Sequence, residues 1–299
     1  MLGETATAPN PNGLPGWLAR AEGEASARVR SFILKFCDGV RDYRNVAIDR
    51  GEFLTAGPPA TPFCAENLEW SGFTASKDSY FYSRLLEEAV RRYGRTHAFV
   101  DLATGSAIPL LSVFGRGLPI DGFRAEVYDV DPEAVAVAAR NVRTCGLESA
   151  VRVGRRSIVE FFSDRDSRSL EKKVVCANPP YVPFAKTPVP DWLLAIAGGP
   201  DGLDHTRPFL SADYPADARL VLEWSSLARP VEVFGAIERR FEVEYARAAE
   251  VALGKYTRDR QVYPGLAKAR REGKCVFDGN ANGGAQILFG AILRPRGRG

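Results

Sequence analysis

His97-Ala98-Phe99-Val100-Asp101-Leu102-Ala103-Thr104-Gly105-Ser106-Ala107 is the stretch on which the fold turns. An apolar run ends in an acid and then in a chain of small residues, the pattern of a strand entering a tight strand-to-helix turn. Just upstream, Tyr82, Leu85, Leu86, Ala89 and Tyr93 fall on one side of a helix over Asp78 to Tyr93, which Gly94 stops. Downstream, further strands are expected over Ala125 to Val130, Val151 to Val153, Val174 to Ala177, Arg219 to Trp224 and Gln286 to Leu293. Between the second and third strands lies a helix from Pro132 to Thr144, with Asp131 able to cap it and Pro132 suited to its first turn. Strands alternating with helices imply an α/β fold, a Rossmann-like and largely parallel sheet with helices on both faces. No internal repeat is visible.

This sheet is assigned to residues 76–299. Residues 1–15 are small, polar and rich in Pro and Gly, and are expected to be a disordered tail. Residues 16–75 are expected to form a small N-terminal helical domain, since Val29, Ile33, Phe36 and Val40 recur on one helical face. Within it, Thr55 to Pro62 reads as a loop.

The chain of 299 residues is 45% hydrophobic and 26% charged, ordinary values for a globular protein. A net charge of +3 gives no ground for a nucleic-acid partner. Positive charge does gather from Lys255 to Arg298, either as a solvated face or as a patch for an acidic partner. Cys37, Cys64, Cys145, Cys176 and Cys275 are odd in number and never paired as C-x-x-C, which argues against disulfides and zinc. With only His97 and His205 besides, no metal site is expected. Neither a run of about 18 apolar residues nor a secretory leader is seen, so no membrane partner and a cytoplasmic location are expected.

Ligands of doubly wound sheets sit at the carboxyl ends of the strands. The small residues Ala103, Thr104 and Gly105 after Asp101 let backbone approach a ligand, and the amides there are candidates to hold a carboxylate. A plain tight turn has the same composition. The second strand ends in Asp129-Val130-Asp131, where Asp129 is placed to accept from ribose hydroxyls. No complete G-x-G-x-x-G follows, which favours S-adenosylmethionine over a dinucleotide, because a pyrophosphate needs those glycines more.

The strand Val174 to Ala177 runs into Asn178-Pro179-Pro180-Tyr181. Two prolines remove two backbone donors and stiffen the turn. The side-chain oxygen of Asn178 and a carbonyl of the proline pair can take the N–H bonds of a planar nitrogen and aim its lone pair, while the Tyr181 ring covers the reacting group. Asn178, Pro179 and Tyr181 are therefore the candidate catalytic residues, with Asn178 also bordering the cofactor. Tyr80, Tyr82, Pro180 and Glu223 are candidates to line the substrate side.

These segments resemble the amino-methyltransferases of the S-adenosylmethionine superfamily, and among them the protein-glutamine N5-methyltransferases that modify release factors. Asp101 to Ala107 is similar to the family's first motif, and Asp129 to Ala134 to its ribose-binding segment. Gly198-Gly199-Pro200-Asp201-Gly202-Leu203-Asp204 is similar to its glycine-rich turn, and Leu220 to Trp224 to its next strand. The resemblance covers about residues 98 to 225. It implies a class I methyltransferase sheet, S-adenosylmethionine as cofactor, Asn178 on the target nitrogen and Asp129 on the ribose.

The departures are specific. Ala103 and Ala107 stand where the family has glycine, and Val153-Gly154-Arg155-Arg156-Ser157 stands where it has an acid near the adenine. Lys77 to Tyr82 replaces an Arg-Pro-x-Glu-Thr segment, and residues 17–70 do not resemble the family's N-terminal domain. The expected substrate is thus a small molecule or one tethered to a carrier protein, in secondary metabolism, rather than the loop of a translation factor. Three functions stay open: N-methylation of an amine or amide, closure of a nitrogen ring (aziridine or azetidine) on the same fold, and a non-catalytic partner subunit. Weaker candidates are an Asp49/Glu52 acid pair, His205, and a lid over Lys255, Tyr256 and Arg258.

Overall fold

The computed structural model describes residues 13–44, 69–70, 73–74, 76–118, 121–163 and 167–297. The expected Thr55–Pro62 loop, the Asp49/Glu52 pair, Cys64 and the first twelve residues lie outside the described residues.

The chain opens with α1 (Gly16–Arg20), α2 (Glu24–Phe36) and β1 (Val40–Asp42), followed by a short hairpin of β2 (Glu69–Trp70) and β3 (Phe73–Thr74). Helix α3 (Lys77–Tyr93) leads into β4 (Ala98–Leu102), α4 (Ile108–Gly115), β5 (Ala125–Asp129), α5 (Pro132–Thr144), β6 (Val151–Arg155) and α6 (Ile158–Ser163). Next come β7 (Lys173–Ala177), α7 (Thr206–Ser211), β8 (Arg219–Ser225), α8 (Pro230–Arg240) and β9 (Phe241–Ala252). The last elements are α9 (Tyr263–Arg271), β10 (Phe277–Asn280) and β11 (Gly283–Pro295).

One sheet runs in the order β1-β9-β11-β8-β7-β4-β5-β6, with β10 hairpinned onto β11. Its neighbours are parallel except at β11, which is antiparallel to both β8 and β9. The chain moves outward from β4 to β6 on one side and from β7 to β8 on the other. The order reverses between β4 and β7, the switch point where such sheets bind ligands. A parallel sheet with a single reversed strand slotted in near one edge is the class I methyltransferase arrangement that the resemblance implied.

Alternation along the strands divides the core into two layers. Phe99, Val174, Cys176, Val221 and Ile292 pack with Tyr82, Leu85 and Leu86 of α3 and with α4 and α5. Val100, Val175, Leu220, Leu222 and Trp224 face the other way, onto Phe32 of α2 and Phe234 of α8. Helix α5 has the expected bounds, and the Asp131 carboxylate caps it by accepting from the Glu133 amide at 2.8 Å.

The N-terminal region departs from expectation. Only Val29 and Ile33 of the predicted helical face are fully buried on α2, and Val40 belongs to a strand instead. Gly39, at φ +95°, is among the residues that turn the chain out of α2, and β1 then pairs in parallel with Ala248–Glu250 of β9. Leu14, Leu18, Phe32 and Ile33 share a hydrophobic core with β8, β9 and β11. Residues 16–44 are therefore a layer on the main sheet rather than a core of their own, while β2 and β3 form a separate two-stranded sheet. The Trp17 indole donates to Glu250 at 2.7 Å and pins that layer.

Candidate active site

Strand β4 delivers Asp101 fully buried at its carboxyl end. The Tyr82 hydroxyl donates to one carboxylate oxygen at 2.6 Å and the Thr104 hydroxyl to the other at 2.7 Å. Burial pushes the Asp101 carboxyl up to about 6 against those two hydrogen bonds. Tyr82 is thus committed to Asp101 from α3 rather than standing open at the top of a pocket. Tyr80 is half-buried, its ring 5.9 Å from that of Tyr43.

The turn after β4 holds three left-handed residues: Ala103 at φ 54°, Gly105 at φ 56° and Ala107 at φ 59°. A side chain in that region costs roughly 1–2 kcal/mol per residue. The glycine-like backbone shape is therefore retained even where alanine occupies it. The amides proposed from sequence as a carboxylate cradle are largely used within the protein. Thr104 donates to the Tyr128 carbonyl, Ala107 to the Thr104 carbonyl and Gly105 to Asp129 at 2.8 Å.

Asp129 closes β5. One carboxylate oxygen accepts from Gly105 and the other from the Asp131 amide at 3.0 Å. The Val130 amide also bonds it, so of about four acceptor sites on an ionised carboxylate only part stays available. Burial raises the Asp129 carboxyl while the amides pull it back. Beyond it, the Val130 side chain is 57% exposed, an open apolar face beside the acid. Where the resemblance leads one to expect an acid, Arg155 donates to the Val130 carbonyl and Ser157 caps α6 through the Glu160 amide.

Strand β7 ends in Asn178, whose side-chain oxygen is buried without a hydrogen-bond partner. The glycine-rich turn is folded against the back of Asn178–Tyr181. A Cβ on Gly198 would lie 2.6 Å from the Pro180 carbonyl oxygen, and one on Gly202, at φ +82°, 2.4 Å from that of Tyr181. The Val182 amide donates to Ile196 and the Gly198 amide to Val182. The two motifs are one structural unit, and the glycines are where backbone meets backbone.

The Tyr181 hydroxyl meets Asp78 at the start of α3 and Gln286 of β11, and burial pushes its pKa well up. Gln286 is itself held by the Ser225 hydroxyl. One strand over from Asn178, Glu223 is fully buried, and neither of its carboxyl oxygens has a partner. Burial, then the charge of Asp78, raises its carboxyl well above the carboxylate range, with Arg247 pulling the other way.

Sequence reasoning thus named Asp101, Asp129, Asn178, Tyr181 and Glu223, all of which the fold gathers at the switch point. It missed Asp78, Gln286 and Arg247, which reach the site only through long-range packing. The group expected to form a lid is partly committed: Tyr256 stacks on Trp192 with rings 5.9 Å apart, and Arg258 donates to the Gly254 and Asn282 carbonyls. His205 sits half-buried at the start of α7, and burial lowers its pKa. No helix of the described residues is long and apolar enough to cross a membrane.

No family model matches the chain. It is 33% identical over 180 residues to a release factor glutamine methyltransferase of Moorella thermoacetica, covering 58% of this chain and 56% of that protein. It is 32% identical over 133 residues to a ribosomal protein uL3 glutamine methyltransferase of Bordetella pertussis, covering 42% of each. The chain thus spans about half the length of these relatives, and its similarity to glutamine methyltransferases agrees with the motifs. Among solved structures, TrmN from Thermus thermophilus aligns over 81% of this chain and 55% of its own, with TM-score 0.44 and 17% identity.

Proposed function

We propose that the chain is an S-adenosylmethionine-dependent N-methyltransferase acting on an amine or amide nitrogen of a small molecule or a carrier-bound substrate. The observation that carries this reading is the unpartnered, buried Asn178 oxygen at the end of β7, beside a nucleoside-type acid at the end of β5. A buried acceptor without a donor costs roughly 1–3 kcal/mol, and a bound N–H group would remove that cost.

The residues present fit the cofactor. Asp129 keeps acceptor capacity for a ribose hydroxyl, and its amide bonds hold it in the conformation that offers it. Val130 gives a flat base an apolar face. The cofactor, when bound, supplies a methyl group on a sulfonium for displacement by a nitrogen lone pair. The chain's own work is placement: Asn178 and the Pro179 carbonyl hold the nitrogen by its N–H bonds, and Tyr181 covers it and excludes water. Tyr181 is itself held from two sides by Asp78 and Gln286.

Both named relatives act on glutamine side chains, in a release factor and in a ribosomal protein. An amide nitrogen is the conservative extension of that chemistry.

Titration calorimetry with S-adenosylmethionine tests the reading. Binding, followed by release of S-adenosylhomocysteine with a nitrogen substrate, is the expected result. Absence of binding would overturn it, and release of methylthioadenosine would point to ring closure within the cofactor instead.

A further inference from the structure

Glu223 and Arg247 stand in one row across the sheet. Glu223 of β8 pairs with Gly290 of β11, and Gly290 pairs with Arg247 of β9. Residues in register point to the same face, so acid and cation both face α3 with a residue lacking a side chain between them. Ala177 pairs with Leu222, which sets Asn178 beside Glu223 at the other end of the row. Across the sheet the row reads carboxamide, acid, gap, cation.

None of the three side chains is satisfied. The Asn178 oxygen, both Glu223 oxygens and the Arg247 Nε are buried without partners. Arg247 donates from one Nη to the Tyr43 hydroxyl at 3.2 Å and lies over the Phe81 ring at 5.4 Å, and neither neighbour is an acid. The Arg247 guanidinium is thus a buried cation with no acid bonded to it, a costly arrangement. A purely structural acid and cation would be expected to close on each other, yet β11 keeps these apart by two strand spacings, about 9.6 Å between backbones.

Because α3 covers Gly290, a ligand bridging the row would have to enter from the carboxyl ends of the strands. Helix α3 closes directly on Gly290, where a Cβ would come within 2.8 Å of Leu85 and 3.1 Å of Phe81. Arg247 lies over the Phe81 ring of that contact and reaches the Tyr43 hydroxyl, and Tyr43 follows the residue paired with Glu250, further along β9 than Arg247. Asn178 borders the same side.

We propose that this row takes an amino-acid-like zwitterion, with its amine on Glu223 and Asn178 and its carboxylate on Arg247. The inference rests on the reading of Asn178 as the nitrogen site and adds the substrate's second charge. A guanidinium pairs with a carboxylate more strongly than with a neutral amide, so the anionic end sets affinity, and the amine end presents its nitrogen once its ammonium proton has been lost to solvent.

The test needs no cofactor. The full chain is titrated calorimetrically with the common L-amino acids and the short diamino acids, each compared with its carboxamide and its N-acetyl derivative. At least one free amino acid should bind, and blocking either end should weaken it at least tenfold. Arg247→Met should bring acid and carboxamide to equal affinity, and Glu223→Gln should do the same for free and acetylated amine. Circular dichroism checks that each variant is folded. Should Arg247→Met fail to fold, Arg247→Lys should keep the preference for the acid. Binding by no member of the panel, or equal binding of acid and carboxamide by the unmodified protein, would overturn the proposal. A parallel titration with S-adenosylmethionine separates the two readings: its binding without zwitterion binding sinks this inference alone, and the converse sinks the methyltransferase reading.

Discussion

The two sides of the switch point treat their buried polar groups differently. On the β4–β5 side, Asp101 accepts from Tyr82 and Thr104, and Asp129 from Gly105 and Asp131, so both acids are held with no ligand present. On the β7–β9 side, the Asn178 oxygen, the Glu223 carboxyl and one Arg247 nitrogen are buried and unpaired. The first side is a frame in which both acids are bonded, and the buried Ser106 hydroxyl of the turn is the group left without a partner. The second leaves buried polar atoms without partners, and under the proposed function these are the residues that would meet a substrate.

The largest effect should come from the unpaired side. Asn178→Ala should lower turnover by about two to three orders of magnitude, the range seen when one aligned polar group is removed from a reacting centre, while calorimetric affinity for S-adenosylmethionine stays within about twofold. Loss of cofactor binding instead would move Asn178 to the other side of the comparison. Asp129→Ala should do the reverse, weakening cofactor affinity about 10- to 100-fold, since a hydrogen bond to a charged group is worth roughly 1.5–3 kcal/mol.

Asp101 tests whether the frame is as rigid as its bonds suggest. Its folded pKa of about 6 lies above the value of about 3.9 for a free carboxyl. The folded state therefore holds the proton more tightly, and this contribution to stability is full below pH ~4 and lost as pH rises through ~6. The stability of the protein relative to Asp101→Asn, from urea melts, should fall by about 2 kcal/mol between pH 4.5 and 7. A difference that does not change with pH would mean the carboxyl titrates normally. The smallest effect concerns the turn. Ala103→Gly relieves a left-handed side chain but frees the unfolded backbone, a net gain of up to about 1 kcal/mol readable as a higher Tm. A lower Tm would show that packing of the Ala103 methyl outweighs its backbone strain.

Much of this was legible in the chain. Strands β4, β5, β7 and β8 announce themselves as short apolar runs, and each ends at or just before a polar residue of the site, so Asp101, Asp129, Asn178 and Glu223 could be named in advance. Strand β9 could not. Phe241–Ala252 carries four alanines, three glutamates and an arginine, residues that favour helix on their own, and it becomes a strand because β11 and β1 pair with both its edges. Missing β9 meant missing Arg247. Val40 failed for the same reason, since it continues a helical period in sequence but meets its partner Ala248 only across the fold. Tyr82 was seen as an aromatic near the pocket, but its bond to Asp101 depends on how α3 lies on the sheet.

The hydrogen bond from Trp17 to Glu250 joins residues 233 positions apart. With it, β1 takes its place only on the outer edge of β9. During synthesis, residues 13–44 must wait, with Leu18, Phe32 and Ile33 uncovered, until almost the whole chain has emerged. Contacts of such separation form late and slowly. Tyr43, which accepts from Arg247, is then among the last parts of the molecule to take its place. In a nascent or partly unfolded chain the bonds that hold Asp101 and Asp129, all within residues 82–131, can form before Arg247 meets Tyr43.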